Sequence, residues 1–203
     1  LQTLERYKAR LNEESTSLTA LEVEDQVMLR DVVSLLQRAE LVARISEEIE
    51  QYLVELGTDG RLVRLQLREL MAGVEDERRL VVLDYLQPDA SWNMEQAIET
   101  LSEMDIDDLL DQESVAQALH LAGQPDDLDS SIQPSGHRML ARIPRLPEST
   151  ASKLGDRCGT LEKLSRSTVE ELADIPGVSE HMARMVKDAL ARIAESSILD
   201  RYS

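Results

Sequence analysis

Leu140-Ala141-Arg142-Ile143-Pro144-Arg145-Leu146-Pro147 recurs 32 residues later as Leu172-Ala173-Asp174-Ile175-Pro176-Gly177-Val178-Ser179, and this repetition decides how the last third of the chain folds. In each copy an apolar residue stands three positions before an Ile-Pro turn. Small and branched apolar residues then follow at helical spacing, Ala151 and Leu154 in the first copy, Ala183 and Val186 in the second. Each copy reads as helix, tight turn, helix: a helix-hairpin-helix pattern. Its chemistry lies in the turn, where the first N–H groups of the following helix lack intrahelical acceptors. Such groups hold a phosphate oxygen without reading a base.

The copies differ in quality. In the second, Thr168 and Glu171 predict a capping box for the leading helix, and Gly177 adopts a positive φ cheaply. The commonest form of the pattern has another Gly at position 179; here Ser179 either caps the next helix or obstructs close approach of the backbone. In the first copy Arg145 and Pro147 replace both glycines. Pro147 removes an amide, and Arg145 is expected to compensate through its side chain. Tandem hairpins of this kind also serve as protein-docking modules, which is the competing expectation.

Charge is segregated along the chain. The 203 residues carry a net charge of −18, yet residues 136–203 hold 11 Lys and Arg against 10 Asp and Glu, a net of +1, and residues 1–135 carry the remaining −19. Between Arg79 and Arg138 there is no Lys or Arg, while acids accumulate from Asp84 to Asp129. That segment repels a phosphate backbone and reads as a solvated helical surface, with partner docking as the alternative. No EF-hand loop interrupts it, and His120, His137 and His181 lack ligand spacing, so no metal site is expected.

The 42% hydrophobic content includes no Phe and only 2% aromatic residues, so aliphatic helical packing is expected. A lone Cys158 excludes an internal disulfide and is expected to be structural at a helix end; no stretch is long and apolar enough to span a bilayer. These features predict a cytoplasmic protein. The chain opens on Leu1 in what reads as mid-helix, which suggests a fragment of something longer.

From residue 4 the apolar positions follow heptads: Leu4, Leu11, Leu18, Val32 and Ala39 on one seam position, Tyr7, Leu21, Met28, Leu35 and Val42 on the other. Ten of twelve positions fit, with Glu14 and Asp25 interrupting, which predicts long helices along a bundle or coiled-coil seam and favours self-association. The two interruptions are expected where the helix turns outward or pairs with a base. Thr19 and Glu22 predict a new helix start, so the break is placed at Ser17–Glu22. The second helix runs to Leu56 and ends in the turn Gly57-Thr58-Asp59-Gly60. A third pattern follows from Leu62 to Met71, then an element through Val81 and Tyr85 broken by Gln87-Pro88-Asp89. Short helices are expected at 95–101 and 105–110, with another starting at Ser114. Residues 123–136 read as a linker, and Trp92 as a small-core anchor. The fold class is therefore all-α: a helical linker and oligomerisation unit at 1–135, then a tandem helix-hairpin-helix DNA-binding unit at 136–203.

These stretches also resemble a known family. Leu4-Glu5-Arg6-Tyr7-Lys8-Ala9-Arg10-Leu11, the runs at 20–25 and 55–62, Arg142 to Pro147 and the ending at 195–202 are similar to DisA-type bacterial DNA integrity scanning proteins of actinobacterial type, over essentially the whole chain. The resemblance implies a parent with an N-terminal diadenylate cyclase domain making cyclic di-AMP from ATP with a divalent metal, a helical linker that forms the spine of an octamer, and a hairpin domain for branched DNA such as Holliday junctions. The cyclase signatures Asp-Gly-Ala and Arg-His-Arg do not occur here, so no catalytic residue, cofactor or metal is assigned to this chain. Its expected partners are DNA at the nucleoid, further copies of itself and the parent's cyclase domain, with no membrane. The expected DNA contacts are Arg142, Arg145 and Leu146 in the first copy, and Pro176, Gly177, Val178 and Ser179 in the second, with Arg184 and Lys187 on the helix that follows. The alternative is an oligomerisation scaffold whose hairpins dock protein.

Overall fold

A computed structural model describes residues 1–57, 60–87 and 91–201, and every regular element among them is a helix. The expected turn residues Thr58 and Asp59, and the breakers Pro88 and Asp89, lie outside the described residues. Helix α1 (Gln2–Glu24) and helix α2 (Leu29–Glu55) pair along the expected seam, with Leu4, Leu11, Leu18, Val32, Leu35, Ala39 and Val42 buried. Glu14 meets Arg38 across this seam at 2.6 Å. Met28 is the seam residue that faces solvent, because it lies in the connection rather than in a helix.

The break between these helices is not where the capping pattern put it. Thr19 donates its hydroxyl back to the Ser15 carbonyl inside a continuous helix, and Glu22 is consumed by tertiary partners, so neither is left to cap. The stop is Asp25, in the left-handed region at φ 54° with its N–H on the Glu22 and Leu21 carbonyls.

Helices α3 (Arg61–Met71) and α4 (Val74–Tyr85) pack on α2, followed by α5 (Met94–Glu103), α6 (Ile106–Leu110) and α7 (Gln112–Ala118). Two α2 side chains hold the later helices. Arg44 donates to the Leu101, Ser102 and Met104 carbonyls at the end of α5, and Gln37 donates to the Leu109 carbonyl at 2.8 Å. The start of α7 is Asp111 rather than Ser114, since the Asp111 carboxylate accepts from the Ser114 N–H. Trp92 is half-buried against this core and donates to the Leu119 carbonyl at 3.1 Å.

Residues 123–136 are no free linker. The Ser130 and Leu128 carbonyls accept from the Leu29 and Arg30 N–H groups, donors that the start of α2 would otherwise leave unpaired. Ile132 is buried and donates its N–H to the Val27 carbonyl. The chain then enters α8 (His137–Ala141), α9 (Glu148–Cys158), α10 (Leu161–Arg166), α11 (Val169–Ala173) and α12 (Glu180–Arg201). A second apolar core, including Leu140, Ile143, Leu154, Leu164, Leu172, Val178 and Val186, lies among these helices, and α12 also packs on α1.

A buried polar joint fastens the hairpin helices to the linker bundle. The Asp84 carboxylate, near the end of α4, accepts from the N–H groups of Gly136 (2.9 Å), His137 (2.6 Å) and Arg138 (3.1 Å) and from the Ser135 hydroxyl. Arg138 is 1% exposed; its guanidinium donates to Glu22 (2.5 Å), to Glu77 (2.7 Å) and to the Ser15 carbonyl and hydroxyl. Tyr85 donates its hydroxyl to Glu22. Burial disfavours the Arg138 charge, but Glu22, Glu77 and Asp84 together raise its pKa. Burial raises the Glu22 pKa despite Arg138, whereas Arg138 and Ser15 outweigh burial at Glu77 and lower its pKa.

Replacing Arg138 with Met should cost roughly 3–5 kcal/mol in urea unfolding, because Glu22 stays buried and Glu77 half-buried without their cation. A loss under about 1 kcal/mol would show that the joint contributes little.

His137 is buried in this joint, with Nδ1 2.8 Å from the Ser135 hydroxyl and 3.5 Å from Asp84, and Nε2 3.5 Å from Asp156. Its ring packs on Gly155, where an added Cβ would lie 2.5 Å from Nε2, so the close approach requires glycine. Burial pulls the imidazole pKa down, but Asp84 and Asp156 outweigh it and the net shift is upward. The stabilisation is then complete below the unfolded value of about 6.5 and is lost as pH rises through the folded pKa. The stability difference between the native chain and His137→Gln, from urea unfolding across pH, should therefore be largest in acid and shrink as pH rises above the unfolded value of about 6.5. A pH-independent difference contradicts the assignment.

Candidate nucleic-acid interface

The two hairpin turns share one hydrogen-bond pattern despite their different residues. In the second, Thr168 and Glu171 form the expected capping box at α11, with the Glu171 carboxylate on the Thr168 N–H (2.8 Å) and the Thr168 hydroxyl accepting from the Glu171 N–H. The turn closes when the Val178 N–H reaches the Ile175 carbonyl at 2.9 Å, with Gly177 at φ 91°. Ser179 takes the capping role of its two alternatives: its hydroxyl accepts from the Met182 N–H and its carbonyl from the Ala183 N–H. In the first turn the Leu146 N–H reaches the Ile143 carbonyl at 3.3 Å, and the Pro147 carbonyl accepts from Thr150 and Ala151.

What remains unbonded is the chemically informative set. The N–H groups of Gly177, Ser179, Glu180 and His181 have no acceptor among the described residues, and all four residues are exposed. In the first turn the corresponding set is Arg145, Glu148 and Ser149, with Pro147 contributing none. Outward N–H groups at the start of a helix, reinforced by its dipole, favour an anion. Arg145 sits at φ 65°, the left-handed conformation that Gly177 takes in the other copy, at a cost of about 1–2 kcal/mol for a residue with a Cβ. The strained position keeps an exposed guanidinium at the turn.

The expected contact residues divide three ways. Arg145 and Pro176 are exposed at the turn tips, and Leu146 is half-buried beside Arg145. Val178 is buried and serves the core with its side chain. Arg184 is exposed one turn into α12 but is ion-paired with Glu180. The other two cations face elsewhere. Lys187 donates its ammonium to the Ser165 carbonyl of α10, and Arg142 lines a groove of about 440 Å³ with Glu13, Thr16 and Thr19 of α1 and Ile193 of α12. Burial there lowers the Arg142 pKa, with Arg138 adding to the effect.

One cation at the second turn was not expected from the sequence. Lys153 of α9 places Nζ 2.8 Å from where a Cβ on Gly177 would stand. Its position in the first copy gave no sign of this, since only packing of the two hairpins brings it over the turn. Cys158 is buried at the end of α9, and that burial raises its thiol pKa above the ordinary value. Among the described residues no group of His, Cys, Asp and Glu is arranged to hold a metal, and no helix is long and apolar enough to cross a membrane.

Comparison with known proteins places both halves. Residues 1–128 match the family described as the DisA bacterial checkpoint controller linker region, and residues 139–198 match the helix-hairpin-helix motif. The chain is 52% identical over 203 residues to the DNA integrity scanning protein DisA of Parafrankia sp. (strain EAN1pec) and to that of Frankia alni, and 50% identical over 205 residues to that of Streptomyces coelicolor. Each alignment covers 100% of this chain but 55–56% of the relative, so the chain spans about half the length of the curated relatives it matches. With its linker, its paired hairpins and half of its residues shared over the full alignment, the chain belongs to the DisA family.

Proposed function

We propose that this chain is the DNA-binding and spacing part of a DisA-type protein, holding branched or damaged DNA by its phosphates and passing the bound state to a diadenylate cyclase segment outside this chain. The carrying observation is the pair of equivalent turns, each with outward N–H groups and a cation beside them, Arg145 at the first and Lys153 at the second. Such contacts are blind to sequence, so preference for a junction comes from shape, with several hairpin units each gripping one arm. Self-association through the linker supplies that multiplicity. A single unit is expected in the range of about 10⁻⁴ to 10⁻⁶ M typical of non-specific binding.

ATP and a divalent cation belong to the cyclase segment in this reading, and no step of cyclic di-AMP synthesis is assigned to residues of this chain. The competing reading, hairpins that dock protein, draws on the internal use of Lys187 and on the charge of −18.

Fluorescence anisotropy with a four-way junction and a matched duplex across a salt series separates the two. The DNA reading expects salt-sensitive binding, tighter for the junction; absence of binding to either at low salt favours the docking scaffold. Gly177→Leu should weaken binding by about tenfold or more while the far-UV circular dichroism stays helical, because a side chain at φ 91° strains the turn and crowds Lys153. Unchanged affinity would remove this turn as the phosphate site.

Arg145→Gly separates strain from function. It should leave the thermal midpoint unchanged or higher by the equivalent of up to about 1 kcal/mol while lowering DNA affinity, since relief of the left-handed strain offsets the flexibility of glycine in the unfolded chain. A lower midpoint with full affinity would mean that the arginine serves only the fold.

A further inference from the structure

A concave surface beside the second turn carries a charge pattern that neither hairpin motif accounts for. It has a volume of about 590 Å³ and is walled by Arg157 at the end of α9, Lys163 and Arg166 of α10, and Ser167, with Leu172 and Ile175 in its lining. Lys153 and Arg157 are four residues apart on α9 and so share a face, Arg157 lying about 6 Å further along the axis from the turn that Lys153 covers. Lys163 and Arg166 are three apart on α10 and share a face in the same way.

The carboxylates near this cleft neutralise it only in part. Arg157 and Lys163 have no carboxylate within 4.0 Å among the described residues. The Glu171 carboxylate also lines the cleft and keeps its charge, but one of its oxygens is taken up by the Thr168 N–H in the α11 cap. Arg166 pairs with Glu162 at 2.8 Å, but both are well exposed, and a solvent-exposed helical pair of this kind is weak. Arg166 is therefore exchanged readily from Glu162 to a phosphate. Three cations against the one acid in the lining, Glu171, leave the cleft positive and suited to an anion.

We propose that this cleft is a second phosphate site, taking a backbone phosphate of the same DNA strand next to the one at the Gly177–His181 turn, with Lys153 between the two. The proposal rests on the DNA-binding reading above and deepens it. One strand then runs from the turn across the α9 face into the cleft, and the hairpin unit holds a length of backbone rather than one phosphate. The contact remains sequence-blind and fixes the direction in which the strand leaves the turn.

The test is the salt dependence of binding to a labelled duplex by the full chain, by Arg157→Ala with Lys163→Ala, and by a charge-matched control, Arg61→Ala with Arg68→Ala, at exposed positions on α3. Losing one phosphate contact should reduce the magnitude of the slope of log K against log salt by about 0.9 in the cleft variant and leave the control at the native slope. If the native chain binds and the cleft variant matches it in affinity and slope, the cleft proposal fails while the turn stands. If the control loses as much slope as the cleft variant, the effect belongs to net charge and the cleft fails as well. If the native chain does not bind at low salt, both readings fail together.

Discussion

The clasp of Asp84 and Arg138 is the constraint on which the rest of the structure depends. Asp84 receives three consecutive N–H groups at the start of α8, and Arg138, the second residue of that helix, returns a guanidinium to Glu22 and Glu77. Two helices of the linker bundle, α1 and α4, therefore grip one five-residue helix that leads directly into the first hairpin turn. A helix this short has little stability of its own. Held between Asp84 and the buried acids, it is as well placed as the core, and it sets the direction in which the hairpins face. A buried ion pair adds little net stability over an apolar replacement, but an unpaired one is costly, so the geometry is enforced by the penalty for any alternative.

Downstream of this joint the fold repeats a backbone rather than a sequence. The Leu146 and Val178 N–H groups close equivalent turns, and Arg145 and Gly177 take equivalent left-handed conformations, although one turn contains two prolines and an arginine and the other a glycine and a serine. The shared core positions Leu140 and Leu172, Ile143 and Ile175, Leu154 and Val186 impose this, since each hairpin buries the same register against the other. The outward N–H groups are a by-product of starting a helix after such a turn. Their number differs between copies only because proline has none to offer.

The parts of this architecture legible in the sequence are those governed by local periodicity. The seam of α1 and α2, the paired hairpins and the Thr168 cap follow from spacing alone. What escaped were features made by residues far apart. Glu22 reads as part of a helix-start cap and Asp84 as a member of an acidic, solvated surface, yet both are buried, Glu22 under the Arg138 guanidinium 116 residues away and Asp84 under the N–H groups of residues 136–138. Residues 123–136 have the composition of a linker, but their carbonyls satisfy the first N–H groups of α2, a demand visible only once that helix is placed. The same limit applies at the interface. Lys187 lies beside the second turn in sequence but is engaged at α10, and Arg142 faces the groove against α1, whereas Lys153 arrives from the opposite hairpin.

The central claim is that exposed turn amides hold DNA on a unit fixed rigidly to the linker, and amide hydrogen exchange with and without a four-way junction tests both halves at once. The account predicts that Gly136, His137 and Arg138 exchange only through global unfolding in either condition, while Ser179, Glu180 and His181 exchange quickly alone and slow on adding the junction. Rapid exchange at the joint, or turn amides indifferent to DNA, would contradict it.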